Sequence, residues 1–309
     1  MTRSRALLCL LFLAAALPSK ARSAFLDPYW SARVAALGGA FTALSDDPAG
    51  TLYNAAATVK VKRPKVHFTY ARLFQGLDEA TLSLSQFGYV HPVSAKAAFG
   101  LAWASFETKD LYREDTGVLT YARRLEDWLA GFGYKGEFSL GVSVRYLTQA
   151  FHLDERTRRD PVFINGGRNQ AYTVDAHIYA APDPEQLEGL SLGLSLRSLN
   201  QPNLGYRQTE RLPKEVAAGL LYRWDRYALP VDVTLRANEI TPHMGLEAEF
   251  LDKSFKARVG SDLDQVGTGF GIGFPITRRI AVAVDYGFLW PLKIEKTAGS
   301  HRATVGLEF

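Results

Sequence analysis

Apolar and polar residues alternate with a period of two along most of the chain from residue 66 onward. In the stretch 138–146, large apolar residues alternate with small or polar ones: Phe138, Leu140, Val142, Val144 and Tyr146 against Ser139, Gly141, Ser143 and Arg145. The same alternation recurs at 190–197 and at 280–288. Successive side chains of a β-strand point to opposite faces of the sheet, so the pattern predicts a series of strands that each have one apolar face.

The alternation predicts fourteen strands. We place them at 66–73, 80–91, 96–106, 127–135, 137–149, 170–181, 189–199, 213–224, 230–238, 243–251, 254–261, 266–274, 279–288 and 300–309. Short turns are predicted at 135–137, 251–254 and 275–278, and long loops at 107–126, 150–169, 200–212 and 289–299. The segment 117–124 also alternates and would make fifteen strands. We assign it to an extended outer loop, because a strand there would invert the order of long and short connections, and single-chain bacterial barrels have an even number of strands.

A soluble β-sandwich would show the same alternation, but three features favour a membrane barrel. Aromatic residues cluster toward strand ends, as interfacial girdles require: Tyr70, Tyr134, Tyr146, Tyr222, Trp224, Tyr286, Phe288 and Trp290. The opposite faces carry charges that suit a water-filled lumen: Asp175, Glu215, Arg223, Asp232, Arg236, Glu247, Glu249, Lys256, Arg258 and Glu308. The last strand ends at Phe309, and a terminal aromatic residue resembles the signal by which bacterial outer-membrane barrels are recognised for assembly.

These features predict an all-β protein, a 14-stranded antiparallel transmembrane β-barrel spanning residues 63–309. Its expected location is the outer membrane of a Gram-negative-type bacterium, with membrane lipid and the barrel-assembly machinery as partners. The hydrophobic content of 47% and the mean hydropathy of −0.09 are unremarkable. A barrel that is apolar outside and polar inside has such averages.

Residues 1–24 have the pattern of a secretory signal that is removed. Arg3 and Arg5 precede an apolar run of twelve residues at 6–17, which is shorter than the roughly 20 residues of a transmembrane helix. Cleavage after Ala21 and cleavage after Ser23 are both compatible with the small residues there.

Removal of the signal changes the composition. It takes away Cys9, the only cysteine, so the mature chain would have neither disulfides nor thiol chemistry. Four of the 36 basic residues go with it, which leaves 32 Lys and Arg against 32 Asp and Glu. That balance gives no support for nucleic-acid binding.

Residues 25–62, called here the N-terminal segment, are too short and too interrupted to fold alone. Gly38-Gly39 breaks a small apolar helical stretch, and Ser45 to Pro48 forms a turn or a new helix start. We expect the segment to form a partly helical plug inside the barrel, although the leading helix of a soluble domain is an alternative. Its candidate ligand-binding or gating residues are Leu37, Gly38, Gly39, Phe41, Leu44, Asp46, Asp47, Pro48, Leu52, Tyr53 and Asn54.

The stretch 32–44, Ala-Arg-Val-Ala-Ala-Leu-Gly-Gly-Ala-Phe-Thr-Ala-Leu, followed by Asp46-Asp47-Pro48, resembles the N-terminal motif of the FadL-like outer-membrane superfamily. It is most similar to the branch that includes PorV and PorQ of the type IX secretion system. The family continues with an Asn-Pro-Ala-Gly turn, of which this chain keeps Asn54 but not the proline and glycine. The resemblance implies a 14-stranded barrel with an N-terminal hatch, and it implies no particular substrate.

Other chemistry is weakly indicated. The glycines of 266–274 fall at every second residue, as in a strand, rather than in the spacing of a dinucleotide loop. The six histidines, His67, His91, His152, His177, His243 and His301, have no metal-ligand spacing. The pair Asp46-Asp47 could bind a cation, but a helix cap is the simpler interpretation. Glu247 and Glu249 share a strand face, but no Ser-His pair accompanies them. The sequence therefore indicates no enzyme, no metal and no cofactor.

Two functions follow from the resemblance. The first is passive uptake or binding of long-chain fatty acids or other hydrophobic small molecules, with an apolar pocket lined by residues such as Phe41, Leu44, Leu52 and Tyr53. The alternative is a PorV-like barrel that serves protein secretion or the surface attachment of secreted proteins, with secretion-system components as partners. A plain ion-conducting pore is disfavoured, because a plug should obstruct free flow.

Overall fold

The strands of the chain close into a barrel. The computed structural model describes residues 24–77, 81–131, 133–183, 185 and 187–309, so residues 1–23 of the predicted signal lie outside the described residues. In this part of the chain, fourteen antiparallel strands pair in sequence order, and the last closes the sheet against the first. They are β1 (Lys65–Leu73), β2 (Leu82–Ser94), β3 (Ala97–Thr108), β4 (Tyr112–Arg124), β5 (Glu137–Phe151), β6 (Arg168–Ala181), β7 (Leu190–Arg197), β8 (Glu215–Trp224), β9 (Tyr227–Arg236), β10 (Glu239–Phe250), β11 (Phe255–Ser261), β12 (Gln265–Pro275), β13 (Ala281–Pro291) and β14 (Ser300–Glu308). The predicted 14-stranded antiparallel barrel is confirmed.

The two faces of the wall have the polarity that the alternation predicts. On β5, the outward Val142 and Val144 are 58% and 50% exposed, whereas the inward Ser143 is 1% exposed. Outward Phe68 and Trp290 are also about half exposed. The outer surface is therefore a belt of apolar side chains, which is the surface that a barrel presents to lipid.

The barrel has two different ends. The end that carries Lys65 and Glu308, called here the C-terminal rim, also carries Phe309, which is 46% exposed and donates from its amide to the carbonyl of Pro64 at 3.1 Å. The opposite end, the loop rim, carries the connections β1–β2, β3–β4, β5–β6, β7–β8, β9–β10, β11–β12 and β13–β14. The predicted long loops between β5 and β6, β7 and β8, and β13 and β14 all lie at the loop rim.

The N-terminal segment lies inside the barrel. It contains helix α1 (Ala32–Ala36), helix α2 (Gly50–Tyr53) and a 3₁₀ helix (Ala55–Lys60). These short helices contact strands β2–β6 and β11–β14. Ser31 caps α1, since its Oγ accepts from the amide of Val34 at 3.2 Å, and a cap of this kind stabilises a helix that is too short to persist alone.

Inward-facing glycines make room for the backbone of this segment. A Cβ atom at Gly267 would lie 2.2 Å from the carbonyl oxygen of Ala35, and one at Gly260 would lie 2.2 Å from the carbonyl carbon of Leu37. At Gly193 the same position would be 2.4 Å from the oxygen of Thr42. The glycine run of 266–274 is therefore a wall strand that touches the segment, as its spacing predicts.

The prediction for residues 107–135 was wrong. The segment 117–124, which we assigned to an outer loop, belongs to β4 and pairs along its length with β3 and β5. The described residues of 127–135 form no strand; they lie in the β4–β5 connection, which carries helix α3 (Glu126–Ala130) at the C-terminal rim. The predicted loop 107–126 is a three-residue connection at 109–111, and the predicted turn 135–137 is the end of the longer connection.

Two physical reasons explain this correction. Thr116, Val118 and Thr120 of β4 point inward and are nearly inaccessible, whereas Leu119 and Tyr121 point outward, so the alternation there is that of a wall strand. In α3, acidic residues in the first turn favour a helix start and Leu and Ala favour its continuation. The long β4–β5 connection lies at the C-terminal rim, so the assumption that all long connections lie at the opposite end is wrong.

The remaining helices are short. Two 3₁₀ turns, Thr157–Arg159 and Pro161–Phe163, lie in the β5–β6 loop. Among the described residues, none of the helices combines the length and apolar content needed to cross a membrane.

Candidate functional site

The first part of the N-terminal segment runs below the loop rim and is held there by arginines of the wall. Arg302 of β14 donates from Nε to the carbonyl of Tyr29 at 2.9 Å and also bonds the carbonyl of Pro28. The hydroxyl of Tyr29 donates to Asp262, in the β11–β12 connection. Residues 24–30 therefore lie across the lumen near this end.

A buried ion network ties α1 to the wall. Arg33 donates from Nε and Nη2 to the two carboxylate oxygens of Glu247, both at 2.9 Å. Arg258 donates to the same carboxylate at 2.7 Å and to Asp285 at 2.6 Å. Glu247 is 1% exposed and Arg258 is 5% exposed. Because bidentate and charge-assisted hydrogen bonds are the strong ones, this network fixes the position of α1 in the lumen.

The same guanidinium reaches the turn after α1. Arg33 Nη1 donates to Asp46 at 2.6 Å and to Asp47 at 3.0 Å, and Arg223 of β8 donates to Asp46 at 2.8 Å. Asp47 also accepts from the amide of Ala49 at 2.8 Å, which closes a local turn before α2. The acidic pair that could have bound a cation is therefore paired with arginines.

The pKa shifts of Asp46 and Lys60 agree with this pairing. Both residues belong to the N-terminal segment and not to a membrane-spanning strand. Burial by itself raises the pKa of Asp46, but Arg33, Lys60 and Arg223 hold that pKa well below its ordinary value. Burial lowers the pKa of Lys60 to about 8, and the attraction of Asp46 opposes that change. Asp46 is thus ionised at neutral pH, while Lys60 loses its charge only in alkaline solution.

Backbone groups of the segment are also bonded to the wall. Asp232 of β9 accepts from the amides of Phe41 at 2.8 Å and Thr42 at 2.6 Å. Asn54 donates to the carbonyls of Thr42 and Ile178, both at 2.9 Å. These bonds satisfy polar groups that would otherwise be buried without partners.

The arginines of β5 and β7 meet at the end of α2. Arg145 and Arg197 both donate to the carbonyl of Leu52, at 2.9 Å and 3.3 Å. Each also pairs with a wall carboxylate, Arg145 with Asp175 at 2.5 Å and Arg197 with Glu215. The charged lumen that the sequence predicts is present, and many of its charged side chains bond the N-terminal segment or one another.

Cavities border the segment toward both ends of the barrel. One, of about 860 Å³, opens at the C-terminal rim and is lined by Asp46, Asp47, Pro48 and Lys60 of the segment together with charged wall residues. Two smaller cavities lie near the loop rim, of about 130 Å³ and about 40 Å³. The first is lined by Leu26, Asp27, Tyr29, Gly39, Thr42 and Tyr53 on the segment side, and the second by Leu52 and residues 25–27 among others.

The predicted site residues fall into separate groups. Asp46, Asp47 and Pro48 line the large cavity, Leu52 and Tyr53 line the small ones, and Gly39 also lines the cavity of about 130 Å³. Phe41 and Leu44 are fully buried between these cavities and line none of the three.

The other predicted site residues lie in the turn after α1 or beside it. Gly38 and Gly39 have φ values of +63° and +86°, which favour glycine, and form the turn that ends α1. Leu37 packs against Gly245 of β10, and Asn54 is fully buried.

Sequence reasoning missed Asp27 and Tyr29. The carboxylate of Asp27 accepts from the hydroxyl of Tyr53 and from the amide of Tyr29, both at 2.8 Å. Tyr29 also contacts the ring of His243 edge-on, at 6.1 Å between centroids. These residues precede the recognised motif and follow no periodic pattern, so the sequence offers no signal for them.

The other chemical candidates of the sequence have structural partners. Glu247 bridges two arginines and Glu249 pairs with Lys256 at 2.7 Å. His177 lies between the hydroxyls of Ser143 and Ser195, at 2.9 Å and 3.0 Å. In the described part of the chain, no group of three or more His, Cys, Asp or Glu side chains is arranged to hold a metal ion.

Solved structures of other barrels share the overall fold of this chain. A FadL homologue from Pseudomonas aeruginosa has a TM-score of 0.56 and 13% identity, over 92% of this chain and 98% of the other. CymD, a monoaromatic hydrocarbon channel, has a TM-score of 0.59 and 10% identity, over 91% and 97%. The toluene transporter TbuX of Ralstonia pickettii has a TM-score of 0.59 and 9% identity, over 90% and 98%.

Sequence comparison adds nothing to this likeness. No protein-family model matches the chain, and no curated protein matches it. The finer resemblance of the motif to PorV and PorQ stays a prediction. At such low identities the likeness extends to the fold alone, and the chain has the closed 14-stranded barrel fold of the FadL-type proteins.

Proposed function

We propose that this protein is an outer-membrane channel for small hydrophobic molecules, and that its N-terminal segment is the plug that controls passage. The observation that carries the proposal is the segment itself, which separates a cavity at the loop rim from a cavity at the C-terminal rim. The apolar outer belt supports a membrane location. The names of CymD and TbuX, barrels of the same fold, support a hydrophobic cargo.

The state described here is a closed one. Phe41 and Leu44 have no exposed surface, and the ring of Phe41 packs edge-on against Tyr53 at 5.6 Å between centroids. A molecule that enters at the loop rim therefore meets packed side chains before it reaches the large cavity. Passage requires part of the N-terminal segment to move relative to the wall.

Cavity size favours a compact cargo. The larger cavity at the loop rim measures about 130 Å³, and an apolar cavity of about 150 Å³ in another protein binds benzene. Leu26, Tyr29 and Tyr53 give this cavity its apolar surfaces, and Asp27, Arg197 and His243 give it polar ones. A single-ring molecule fits this space as it stands, whereas the chain of a long fatty acid needs more room. We therefore place single-ring compounds ahead of fatty acids as substrates.

The test measures both binding and uptake with the same purified protein. The first measurement is the amount of toluene that passes from the gas phase into a detergent solution of the purified barrel. This amount should show saturable binding to the protein. Oleate binding measured by dialysis should be weaker, and glucose should not bind. Uptake of toluene into asymmetric vesicles with a lipopolysaccharide outer leaflet should be faster with the barrel than without it.

A matched pair of variants assigns binding to the cavity at the loop rim. Thr241→Trp fills that cavity from β10, so toluene binding should fall about tenfold or more. Thr268→Trp places the same side chain on the exposed outer face of β12, and binding should not change. If the barrel fails to bind toluene, or binds it equally in both variants, the proposed substrate or the proposed site is wrong.

A further inference from the structure

The backbone at Ala24 and Phe25 is held by two strands of the wall. The amide of Phe25 lies 3.1 Å from each oxygen of the Glu114 carboxylate on β4. Arg236 of β9 donates from Nη1 to the carbonyl of Phe25 at 2.7 Å and from Nη2 to the carbonyl of Ala24 at 2.6 Å. Four hydrogen bonds from two charged side chains therefore converge on two consecutive residues.

These two side chains also have hydrogen-bond partners within the wall. Glu114 is 9% exposed, and the hydroxyl of Tyr112 donates to its Oε1 at 2.7 Å. Arg236 also donates to Glu215 at 3.2 Å. The ring of Phe25 packs against a buried apolar cluster: Leu147, Leu204 and Leu212. The site thus offers a carboxylate, a guanidinium and an apolar surface together.

This combination matches the start of a polypeptide chain. A chain start carries an ammonium group followed directly by a carbonyl. The ammonium is best paired with a negatively charged acceptor, and the carbonyl accepts from a donor, to which a charged guanidinium bonds more strongly than a neutral group does. Glu114 and Arg236 supply them on opposite sides of the same backbone. A chain interior offers the carboxylate only a neutral amide, so half of the electrostatic attraction is unused when residues precede Ala24.

We propose that Glu114 and Arg236 form a docking site for the mature amino terminus, which processing creates between Ser23 and Ala24. An endopeptidase of the secretion pathway would use water to hydrolyse that bond, leaving a carboxylate on Ser23 and an ammonium on Ala24. The small residues Ala21 and Ser23 suit such a cleavage. The bond from Arg236 to the Ala24 carbonyl requires Ala24 to remain on the mature chain.

The ammonium group that cleavage creates on Ala24 lies close to the carboxylate of Glu114. Consecutive Cα atoms are about 3.8 Å apart, so an ammonium on Ala24 lies within about 7 Å of the Glu114 carboxylate. The carboxylate favours the protonated amine, whereas the guanidinium of Arg236, which bonds the Ala24 carbonyl, opposes it. Because Arg236 is already paired with Glu215, we expect the net effect of the site to favour the charged amine. Cleavage therefore adds a charge interaction to the hydrogen bonds that hold Ala24 and Phe25, and it strengthens the anchoring of residues 24–30 at the loop rim. This inference rests on the predicted signal and holds whether or not the barrel carries hydrophobic molecules.

The first experiment is the intact mass of the protein purified from its native outer membrane. The expected mass is that of a chain that begins at Ala24. A chain that begins at another residue, or that retains the signal, overturns the assignment of the cleavage site.

The second experiment measures how fast an acylating reagent modifies the α-amine, which reacts only in its neutral form. The folded protein should react about tenfold more slowly than the same chain unfolded in denaturant at the same pH. Glu114→Gln keeps the shape and the acceptor for Tyr112 but removes the charge, so it should restore most of that rate. Glu107→Gln, an exposed position at the same end of β3, should leave the protection unchanged.

Each outcome decides the proposal. Equal rates in the folded and unfolded protein overturn the docking site, and this comparison needs no variant. Protection that persists in Glu114→Gln also overturns it, because burial alone would then account for the slow reaction. Protection that is lost in Glu114→Gln and kept in Glu107→Gln supports it.

Discussion

At the scale of single residues, the inward glycines decide how closely the N-terminal segment approaches the wall. Gly267 and Gly273 lie on the same face of β12, but only Gly267 touches the segment. A Cβ atom at Gly267 would be 2.2 Å from the oxygen of Ala35, whereas one at Gly273 would be 3.9 Å from the nearest atom, an oxygen of Val282. The two positions therefore separate the effect of contact from the effect of losing a glycine.

We expect Gly267→Ala to destabilise the barrel by about 1–3 kcal/mol, because the added methyl group must displace backbone. Gly273→Ala should change stability by less than about 0.5 kcal/mol. The measurement is thermal unfolding in detergent, followed by the circular dichroism of the sheet. Equal stability of the two variants would show that the segment does not rest on β12 as described.

The buried carboxylates offer a second residue-level test. Glu247 and Glu249 are two residues apart on β10 and point inward, but Glu247 joins two buried arginines whereas Glu249 pairs with a partly exposed lysine. Glu247→Gln should cost about 3–5 kcal/mol, because two guanidinium groups lose a charged partner away from water. Glu249→Gln should cost less than about 1 kcal/mol. Denaturant unfolding compares the two, and a similar loss in both would mean that the Glu247 network is solvated.

At the scale of elements, most of the wall follows from the sequence because each strand has one lipid face and one inner face. The alternation predicts which residues of β5, β7 and β13 point outward without knowledge of their neighbours. It does not fix which alternating stretch enters the wall. Residues 117–124 alternate in the sequence, and only pairing with β3 and β5 shows that they belong to it.

Cysteine labelling tests the corrected assignment of β4. Since a mature chain without its signal has no cysteine, a single introduced thiol reports its own environment. Leu119→Cys on the outward face of β4 should react with a lipid-soluble maleimide and resist a charged one. Ala130→Cys, in exposed helix α3, should react readily with the charged reagent. The reverse result would restore the original loop assignment.

The candidate site was harder to predict than the wall. The motif at 32–48 singles out the segment, but it does not show that Asp46 to Pro48 line a cavity. It does not show that Phe41 and Leu44 are packed rather than exposed to a ligand. That distinction depends on which wall residues lie opposite, and those come from strands about 190 residues later, such as Asp232 of β9.

At the scale of the whole molecule, hydrogen bonds and ion pairs join the N-terminal segment to strands on many sides of the barrel. Arginines from β5, β7, β8, β11 and β14 bond the segment or its carboxylate partners. In the proposed channel, such a network stabilises the closed lumen. It also makes opening costly, since any movement that breaks several of these bonds must replace them with water or with other partners.

A reversible tether tests whether transport requires that movement. The Cβ atom that Gly245 would carry lies 3.0 Å from the Cβ of Leu37, so the pair Leu37→Cys and Gly245→Cys needs a shift of about 0.5 Å to reach disulfide geometry. The oxidised double variant should lose most of its toluene uptake, and reduction should restore it. Each single variant should transport equally with and without reductant, which separates the tether from the strain of the substitutions. Undiminished uptake by the oxidised form would mean that cargo passes the N-terminal segment without displacing it near Leu37, and the closed contacts around Phe41 would then have to open by another route.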